Sequence, residues 1–190
     1  GSVTKLFTWT AVMQLVEQGK LDLNRDINNY LDFRIPDTYP QPITIKNLMT
    51  HSDMFEERFF ESIILDASDS APVREWLVSH MPTRVRPPGE VAAYSNYGAD
   101  LAGYIVARVS GQPFDQYIQK NILDPLGMAH TTAGMEAAPA ELLANQSLGY
   151  TYEDGAFNVF PYYTSQLATA PRGAMIASAS DMARFMMAHL

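Results

Sequence analysis

The sequence contains no cysteine, which excludes disulfide bonds and cysteine-ligated metal sites across its 190 residues. Its histidines are also few and lie far apart, without the spacing of metal ligands. We therefore predict no metal and no other cofactor. No apolar run reaches the length that spans a membrane, and no signal peptide is visible.

Positive charge is scarce as well. The chain has 13 basic and 21 acidic residues, a net charge of −8, and no cluster of Lys and Arg. This balance argues against nucleic acid as a partner. Hydrophobic residues make up 47% of the chain, which is enough for a packed core, and the length suits one domain or slightly more.

A serine and a lysine stand three residues apart at the start of the chain. Ser2 and Lys5 precede an apolar, helix-like run, so both side chains are expected on one helical face. The free N–H groups of a first helical turn favour a developing alkoxide and disfavour an ammonium. A desolvated Lys5 could then be neutral and take the proton of Ser2.

The pair alone does not decide between two interpretations. A chain of this length contains about one Ser-x-x-Lys by chance. Ser2 could equally be the N-cap of the helix, with its hydroxyl bonded to a backbone N–H.

A second short motif, Tyr94-x-Asn96, also occurs once. It is compatible with a turn that contains a packed tyrosine. Alternatively, a tyrosine beside a serine–lysine pair can carry a proton to the leaving group. The amide of Asn96 can then hold Lys5 and also bond a substrate carbonyl.

The pattern of apolar residues, caps and turns predicts a mostly helical chain. The first helix is apolar nearly all round, and we expect it to be central and buried. The Asp154-Gly155 pair suits a type I′ hairpin turn. The predicted elements are helices at about 2–18, 27–31, 45–49, 71–80, 97–109, 113–122, 140–144 and 181–190, and a hairpin at 150–159. Thr44 is the expected cap of the 45–49 helix, and Ser178 or Ser180 that of the 181–190 helix.

With these motifs the sequence resembles the serine β-lactamase-like and penicillin-binding family, on its class C β-lactamase and D-alanyl-D-alanine carboxypeptidase branch. The matching segments occur in the family's order and cover nearly the whole chain. They are Gly1-Ser2-Val3-Thr4-Lys5, residues 43–52, Pro88-Gly89 with Tyr94-Ser95-Asn96-Tyr97-Gly98, Pro125-Leu126-Gly127-Met128, and residues 178–185.

The resemblance implies an α+β fold of the β-lactamase/penicillin-binding transpeptidase type. We expect mostly its helical part here, with the antiparallel sheet largely missing. Residues 1–190 would form a single partial domain from the interior of a larger one. Its parts would be the nucleophile helix at 2–18, a helical region at about 44–128, the hairpin at about 150–159 and the late helix at about 181–190.

The resemblance also implies roles for four residues. Ser2 would be the acyl-forming nucleophile, Lys5 its general base, and Tyr94 the proton carrier between Lys5 and the leaving group. Asn96 would position Lys5 and the substrate, and the N–H of Ser2 would form half of an oxyanion hole. The implied substrate is a β-lactam, a peptidoglycan-like D-amino-acid peptide or a small ester, in a periplasmic or extracytoplasmic location.

The sequence departs from the family pattern at three points. The third motif, Lys-Thr-Gly or His-x-Gly on a strand, is absent, together with the strands before the nucleophile helix. His51-Ser52-Asp53-Met54 replaces a small Ser-Gly step, and Arg172-Gly173-Ala174 replaces a more glycine-rich turn. A non-catalytic binding or assembly module on the same scaffold is therefore the alternative. Self-association through the face that the sheet normally covers would fit either case.

Two further segments contain catalytic residue types. His51, Ser52 and Asp53 have the composition of a triad, but neighbours in sequence do not converge on one point, so we predict no triad there. Glu141 resembles the deacylating glutamate of class A β-lactamases. Because the other motifs belong to a different branch, we predict that Glu141 is a surface helix residue.

Overall fold

The computed structural model describes residues 1–58, 71–134, 138–160 and 169–190. Residues 59–70 of the predicted helical region lie outside this part. The described chain is mostly helical, with two antiparallel sheets of two strands each. None of the helices in these ranges is long and apolar enough to cross a membrane.

The helices lie close to their predicted positions. The bounds are α1 Thr4–Glu17, α2 Ile45–Met49, α3 Val73–Ser79, α4 Asn96–Ser110, α5 Phe114–Ile118, α6 Ala140–Ala144, α7 Ala170–Gly173 and α8 Ala179–Met187. The helix predicted at 113–122 is divided, because α5 passes at Gln119–Leu123 into a π-helical segment. Residues 170–173 form a short helix where the sequence suggested only a turn.

The two sheets differ in how far the sequence predicts them. Strands β2 (Gly149–Glu153) and β3 (Ala156–Phe160) form the expected hairpin. Its turn has positive φ at both Asp154 (51°) and Gly155 (80°), as a type I′ turn requires. Strands β1 (Thr131–Thr132) and β4 (Ile176–Ala177) form an antiparallel pair between segments that are distant in the sequence. They were not predicted, because two residues are too few to show an alternation of apolar and polar side chains.

Local side-chain chemistry sets several helix boundaries. Thr44 and Asn47 form a capping box at the start of α2. Ser95 caps α4 by accepting a hydrogen bond from the N–H of Gly98 at 3.0 Å. Of the two serines considered for α8, Ser178 is the cap, since its hydroxyl accepts from the N–H of Asp181 at 3.2 Å.

The inner face of α1 packs against α4 and α7. Phe7, Ala11, Val12 and Leu15 are all buried there. The approach of α7 to α4 depends on Gly103, since a Cβ at this position would lie 2.1 Å from Cγ of Pro171. Only glycine allows this packing, which brings the residues of α7 up to the start of α1.

The burial expected from the apolar pattern holds for the inner face of α1, whereas the outer face stays uncovered, as the expected absence of the sheet predicts. Leu6 is 52% exposed and Met13 is 43% exposed. The outer face lies beside α8. At the edge between the two faces, the buried ring of Phe7 stacks on Phe185 of α8, with ring centroids 4.0 Å apart. No other helix of the described chain covers the groove between α1 and α8, and several of its side chains are exposed, although Phe185 is buried. The groove is lined by Val3, Leu6, Trp9, Thr10, Met13, Met182, Phe185, Met186 and His189.

Candidate active site

Ser2 lies in the turn that leads into α1. The helix begins at Thr4, slightly later than predicted, but the carbonyl of Ser2 already accepts from the N–H of Lys5 at 3.1 Å. This turn places the two side chains on one side, where Nζ of Lys5 donates to Oγ of Ser2 at 3.2 Å. Ser2 itself is exposed, so its hydroxyl is accessible from the outside.

Lys5 is buried, with 4% of its surface exposed, and its amine is enclosed by oxygen atoms. Besides the hydroxyl of Ser2, Nζ donates to Oδ1 of Asn96 at 2.7 Å and to the carbonyl oxygen of Arg172 at 2.9 Å. It also lies 4.8 Å from the centroid of the Tyr94 ring. The amine is thus held in one position beside Ser2.

Tyr94 reaches the same serine from the other motif. Its hydroxyl donates to Oγ of Ser2 at 2.6 Å. Tyr94 precedes the capping residue of α4, and Asn96 is the first residue of that helix. The structure therefore brings together all four side chains that the sequence singled out, Ser2, Lys5, Tyr94 and Asn96.

Glu57 joins this cluster through Asn96. Its Oε2 accepts from the backbone N–H of Asn96 at 2.8 Å, and its Oε1 accepts from Nδ2 at 2.9 Å. Glu57 was not predicted from the sequence, because nothing in the local pattern distinguishes it from its neighbour Glu56. The contact joins residues 39 positions apart, which only the fold brings together.

Arg172 contacts Lys5 through its backbone and the buried Asp100 through its side chain. Its carbonyl accepts from Lys5, and its guanidinium forms an ion pair with the fully buried carboxylate of Asp100 at 2.8 Å. Burial raises the pKa of Asp100, whereas the positive charges of Arg172 and Lys5 lower it. The guanidinium also lies 5.3 Å from the ring centroid of Trp76. Arg172 had appeared in the sequence only as a departure from a glycine-rich turn.

His51 supports Tyr94, and the segment that follows does not form a triad. The two rings lie 4.4 Å apart between centroids, and Nδ1 of His51 accepts from the N–H of Ser95 at 3.2 Å. Burial and the charge of Lys5 lower the pKa of His51, which favours the neutral ring. Among the described residues, no hydrogen bond joins His51 to Ser52 or Asp53.

Asp53 and Met54 contribute to the local backbone structure and not to a triad. Oδ1 of Asp53 accepts from the N–H of Phe55 at 3.1 Å, and burial raises the pKa of Asp53 to about 7. Met54 has a φ of 66°, a conformation that favours glycine. It thus occupies the left-handed position at the point where the resemblance expects a glycine.

Two remaining predictions concern Glu141 and the backbone of Ser2. Glu141 is exposed on α6, in agreement with its interpretation as a surface helix residue. The N–H of Ser2 has no hydrogen-bond partner among the described residues. It is therefore free to donate to a developing oxyanion.

A helical core with a serine and a lysine at the start of its central helix, and a tyrosine above them, is the scaffold of the penicillin-binding and β-lactamase class of proteins. The family model described as Beta-lactamase matches residues 1–190. The chain belongs to this family.

Three similar proteins illustrate the relationship. The putative penicillin-binding protein PbpX of Bacillus subtilis is 32% identical over 97% of this chain and 44% of its own length. The D-alanyl-D-alanine-carboxypeptidase/endopeptidase AmpH of Escherichia coli is 33% identical over 69% of this chain and 35% of its own length. A solved structure of the D-amino acid amidase from Ochrobactrum anthropi, complexed with D-phenylalanine, covers 99% of this chain and 55% of that one, with a TM-score of 0.80 and 25% identity.

The chain therefore spans less than half the length of the two curated relatives. Its fold is the β-lactamase/penicillin-binding fold, represented mainly by the helical part.

Proposed function

We propose that this chain carries the nucleophilic site of a serine hydrolase that acts through an acyl-enzyme. The observation that carries the proposal is the position of Oγ of Ser2, which lies 3.2 Å from Nζ of Lys5 and 2.6 Å from the hydroxyl of Tyr94. A nucleophile within reach of both a base and a proton carrier is what acyl transfer requires.

In the acylation step, Lys5 acts as the base and takes the proton of Ser2 across their existing contact. Oγ of Ser2 forms a bond to the substrate carbonyl carbon, and the oxyanion that develops accepts from the N–H of Ser2. The bond from carbon to the leaving nitrogen or oxygen then breaks. The proton passes from Lys5 through Tyr94 to the leaving group, so that Lys5 can act as the base again.

In the deacylation step, water replaces the leaving group. Lys5 or Tyr94 takes one proton of the water as its oxygen bonds to the acyl carbon. The ester bond to Ser2 breaks, and the proton returns to Oγ. The substrate leaves as a carboxylic acid, and the site is restored.

The substrate class we propose is a β-lactam, a D-amino-acid peptide or a small ester. The family, together with one relative named as a carboxypeptidase and one as an amidase, supports an acyl substrate with a D-configured residue. A peptidoglycan-like substrate would place the protein in the periplasm or outside the cell. The alternative remains a non-catalytic binding or assembly module.

Covalent labelling distinguishes the hydrolase from the alternative. A fluorescent penicillin and a fluorophosphonate are each incubated with the parent chain and with Ser2→Ala. A matched control, Ser79→Ala, removes another exposed hydroxyl, which bonds only the backbone of its own helix and the adjacent His80. We expect label on the parent and on Ser79→Ala, and none on Ser2→Ala. Failure of both probes to label the parent would favour the non-catalytic module.

A further inference from the structure

Glu57 makes a two-point contact with the residue that holds Lys5. One carboxylate oxygen accepts from the backbone of Asn96 at 2.8 Å, and the other accepts from its side-chain nitrogen at 2.9 Å. Asn96 is fixed at the start of α4, so the carboxylate bonds to a rigid partner. Charge-assisted hydrogen bonds of this kind are stronger than neutral ones.

This contact determines which way the carboxamide of Asn96 points. Nδ2 faces the carboxylate, so Oδ1 faces Nζ of Lys5 at 2.7 Å. The reversed orientation would bring the amide oxygen against a carboxylate oxygen and the NH₂ group against the amine of Lys5. The contact between the two oxygen atoms would be repulsive, because both are acceptors.

The orientation matters for the base. A neutral amine has two N–H groups and one lone pair. In the structure Nζ donates to all three oxygens. When Lys5 acts as the base, the carbonyl of Arg172 and Oδ1 of Asn96 keep the two N–H groups, and the lone pair lies in the direction of Oγ of Ser2. If Asn96 were reversed, its NH₂ group would compete with Ser2 for the lone pair.

We propose that Glu57 is a positioning residue, which orients Asn96 so that the lone pair of Lys5 is directed at Ser2. This inference rests on the proposed hydrolase function. It assigns Glu57 no contact with the substrate and no proton transfer. It also implies that one N–H of Asn96 is already occupied, so that any bond from Asn96 to a substrate uses the other.

The test compares Glu57→Gln with Glu56→Gln. Both variants remove one negative charge from an exposed side chain in the same segment, but Glu56 lies beside Arg58 at 3.6 Å rather than at the site. The carboxamide introduced by Glu57→Gln offers one acceptor and one donor to a partner with two donors, and the mismatch is relieved when Asn96 reverses. Stopped-flow labelling with a fluorescent penicillin separates the maximal acylation rate from the half-saturating concentration.

We expect Glu57→Gln to lower the maximal acylation rate about tenfold or more, the loss typical of a hydrogen bond to a charged group, at an unchanged half-saturating concentration. Glu56→Gln should acylate like the parent. Equal rates for the two variants, or a loss confined to the half-saturating concentration, would overturn the positioning role. Thermal unfolding of both variants identifies any loss that is due to misfolding.

A second readout does not depend on activity. The side-chain NH₂ signals of Asn96 in a ¹⁵N-edited NMR spectrum report its contact with the carboxylate. They should shift in Glu57→Gln and stay in place in Glu56→Gln. If the parent is never acylated, the hydrolase proposal fails, whereas unshifted Asn96 signals in Glu57→Gln would refute the orienting contact itself.

Discussion

The two faces of α1 differ in how completely their groups are partnered. On the inner face, Lys5 and Thr8 are buried, and each donates a hydrogen bond to a backbone carbonyl of α7. On the outer face, Leu6 and Met13 remain about half exposed beside α8. One helix thus has a hydrogen-bonded polar cluster on one side and an open apolar groove on the other.

The described residues therefore supply hydrogen-bond partners for the inner face of α1, but they do not cover the apolar side chains of its outer face. The polar groups of the inner face need hydrogen-bond acceptors at fixed positions, and α4 and α7 provide them. The outer face needs only apolar area, and burial of each such side chain is worth about 1.5–3 kcal/mol. We therefore expect changes on the inner face to affect chemistry and folding, and changes on the outer face to affect association.

The largest effect is expected from Lys5. Replacing it in Lys5→Met removes the base while retaining a long apolar side chain at a buried position. Loss of a general base typically lowers a rate by about 10²–10⁴. The measurement is the rate of Ser2 acylation by a fluorescent penicillin, and Lys46→Met, an exposed lysine on α2, is the matched control. Comparable rates in the two variants would exclude Lys5 as the base.

The buried ion pair of α7 should matter far more than an exposed one. Arg172→Met leaves the fully buried Asp100 without its partner, a change that typically costs roughly 3–5 kcal/mol. Arg34→Met breaks the pair with Asp37, whose side chains are 67% and 65% exposed, and should cost less than about 1 kcal/mol. Urea unfolding measures both.

A double variant tests the reason for that loss. Arg172→Met combined with Asp100→Asn removes both charges and should recover part of the unfolding free energy. If the double variant is no more stable than Arg172→Met alone, the loss comes from packing against Trp76 and not from the unpaired carboxylate.

Asp53 should make stability depend on pH. Its pKa is raised to about 7 by burial, compared with about 3.9 in an unfolded chain. Between these values the folded state holds a proton that the unfolded state has lost, so the unfolding free energy falls as pH rises from about 4 to about 7. Each pKa unit corresponds to about 1.4 kcal/mol.

The corresponding variant is Asp53→Asn, which keeps the shape without the charge. It should be more stable than the parent at pH 8 and nearly equal to it at pH 4. Asp154→Asn, in the exposed hairpin turn where Asn-Gly is equally suitable, is the control and should not alter the slope. A parent whose stability is constant across this pH range would contradict the role of Asp53.

The outer face should show a smaller, concentration-dependent effect. Met13→Gln with Met186→Gln makes both walls of the groove more polar at positions that are 43% and 65% exposed. We expect weaker self-association than in the parent, measured by light scattering over a range of concentrations. Val78→Gln, at an apolar residue of α3 that is 43% exposed like Met13, should change nothing. A parent that stays monomeric at all concentrations would remove the basis for this expectation.

The site residues on the inner face could be predicted because they lie in two short motifs, each of which is visible in the sequence. Ser2 and Lys5 are three residues apart, and Tyr94 and Asn96 are two apart, so each pair is readable as a motif. Thr44 was expected as a cap for the same reason, and so was Ser178, as one of two candidates for α8. That the two motifs lie close together in space was expected from the resemblance to the family and not from the residues alone.

Other parts of the site could not be predicted in this way. Glu57, Asp100 and Arg172 act through contacts between distant segments, and no local pattern marks them. The apolar pattern of α1 predicted a buried helix, and the expected absence of the sheet predicted that part of it stays uncovered. Neither prediction says which residues form the open face. The two-residue strands β1 and β4 were too short for any periodicity.

The central claim is that the inner face of α1 forms an acylation site around Ser2. Its most direct test is mass spectrometry of residues 1–190 after incubation with penicillin, followed by peptide mapping. We expect a single adduct on the peptide that contains Ser2, and none in Ser2→Ala. No adduct under any condition, or an adduct on a different residue, would contradict the claim.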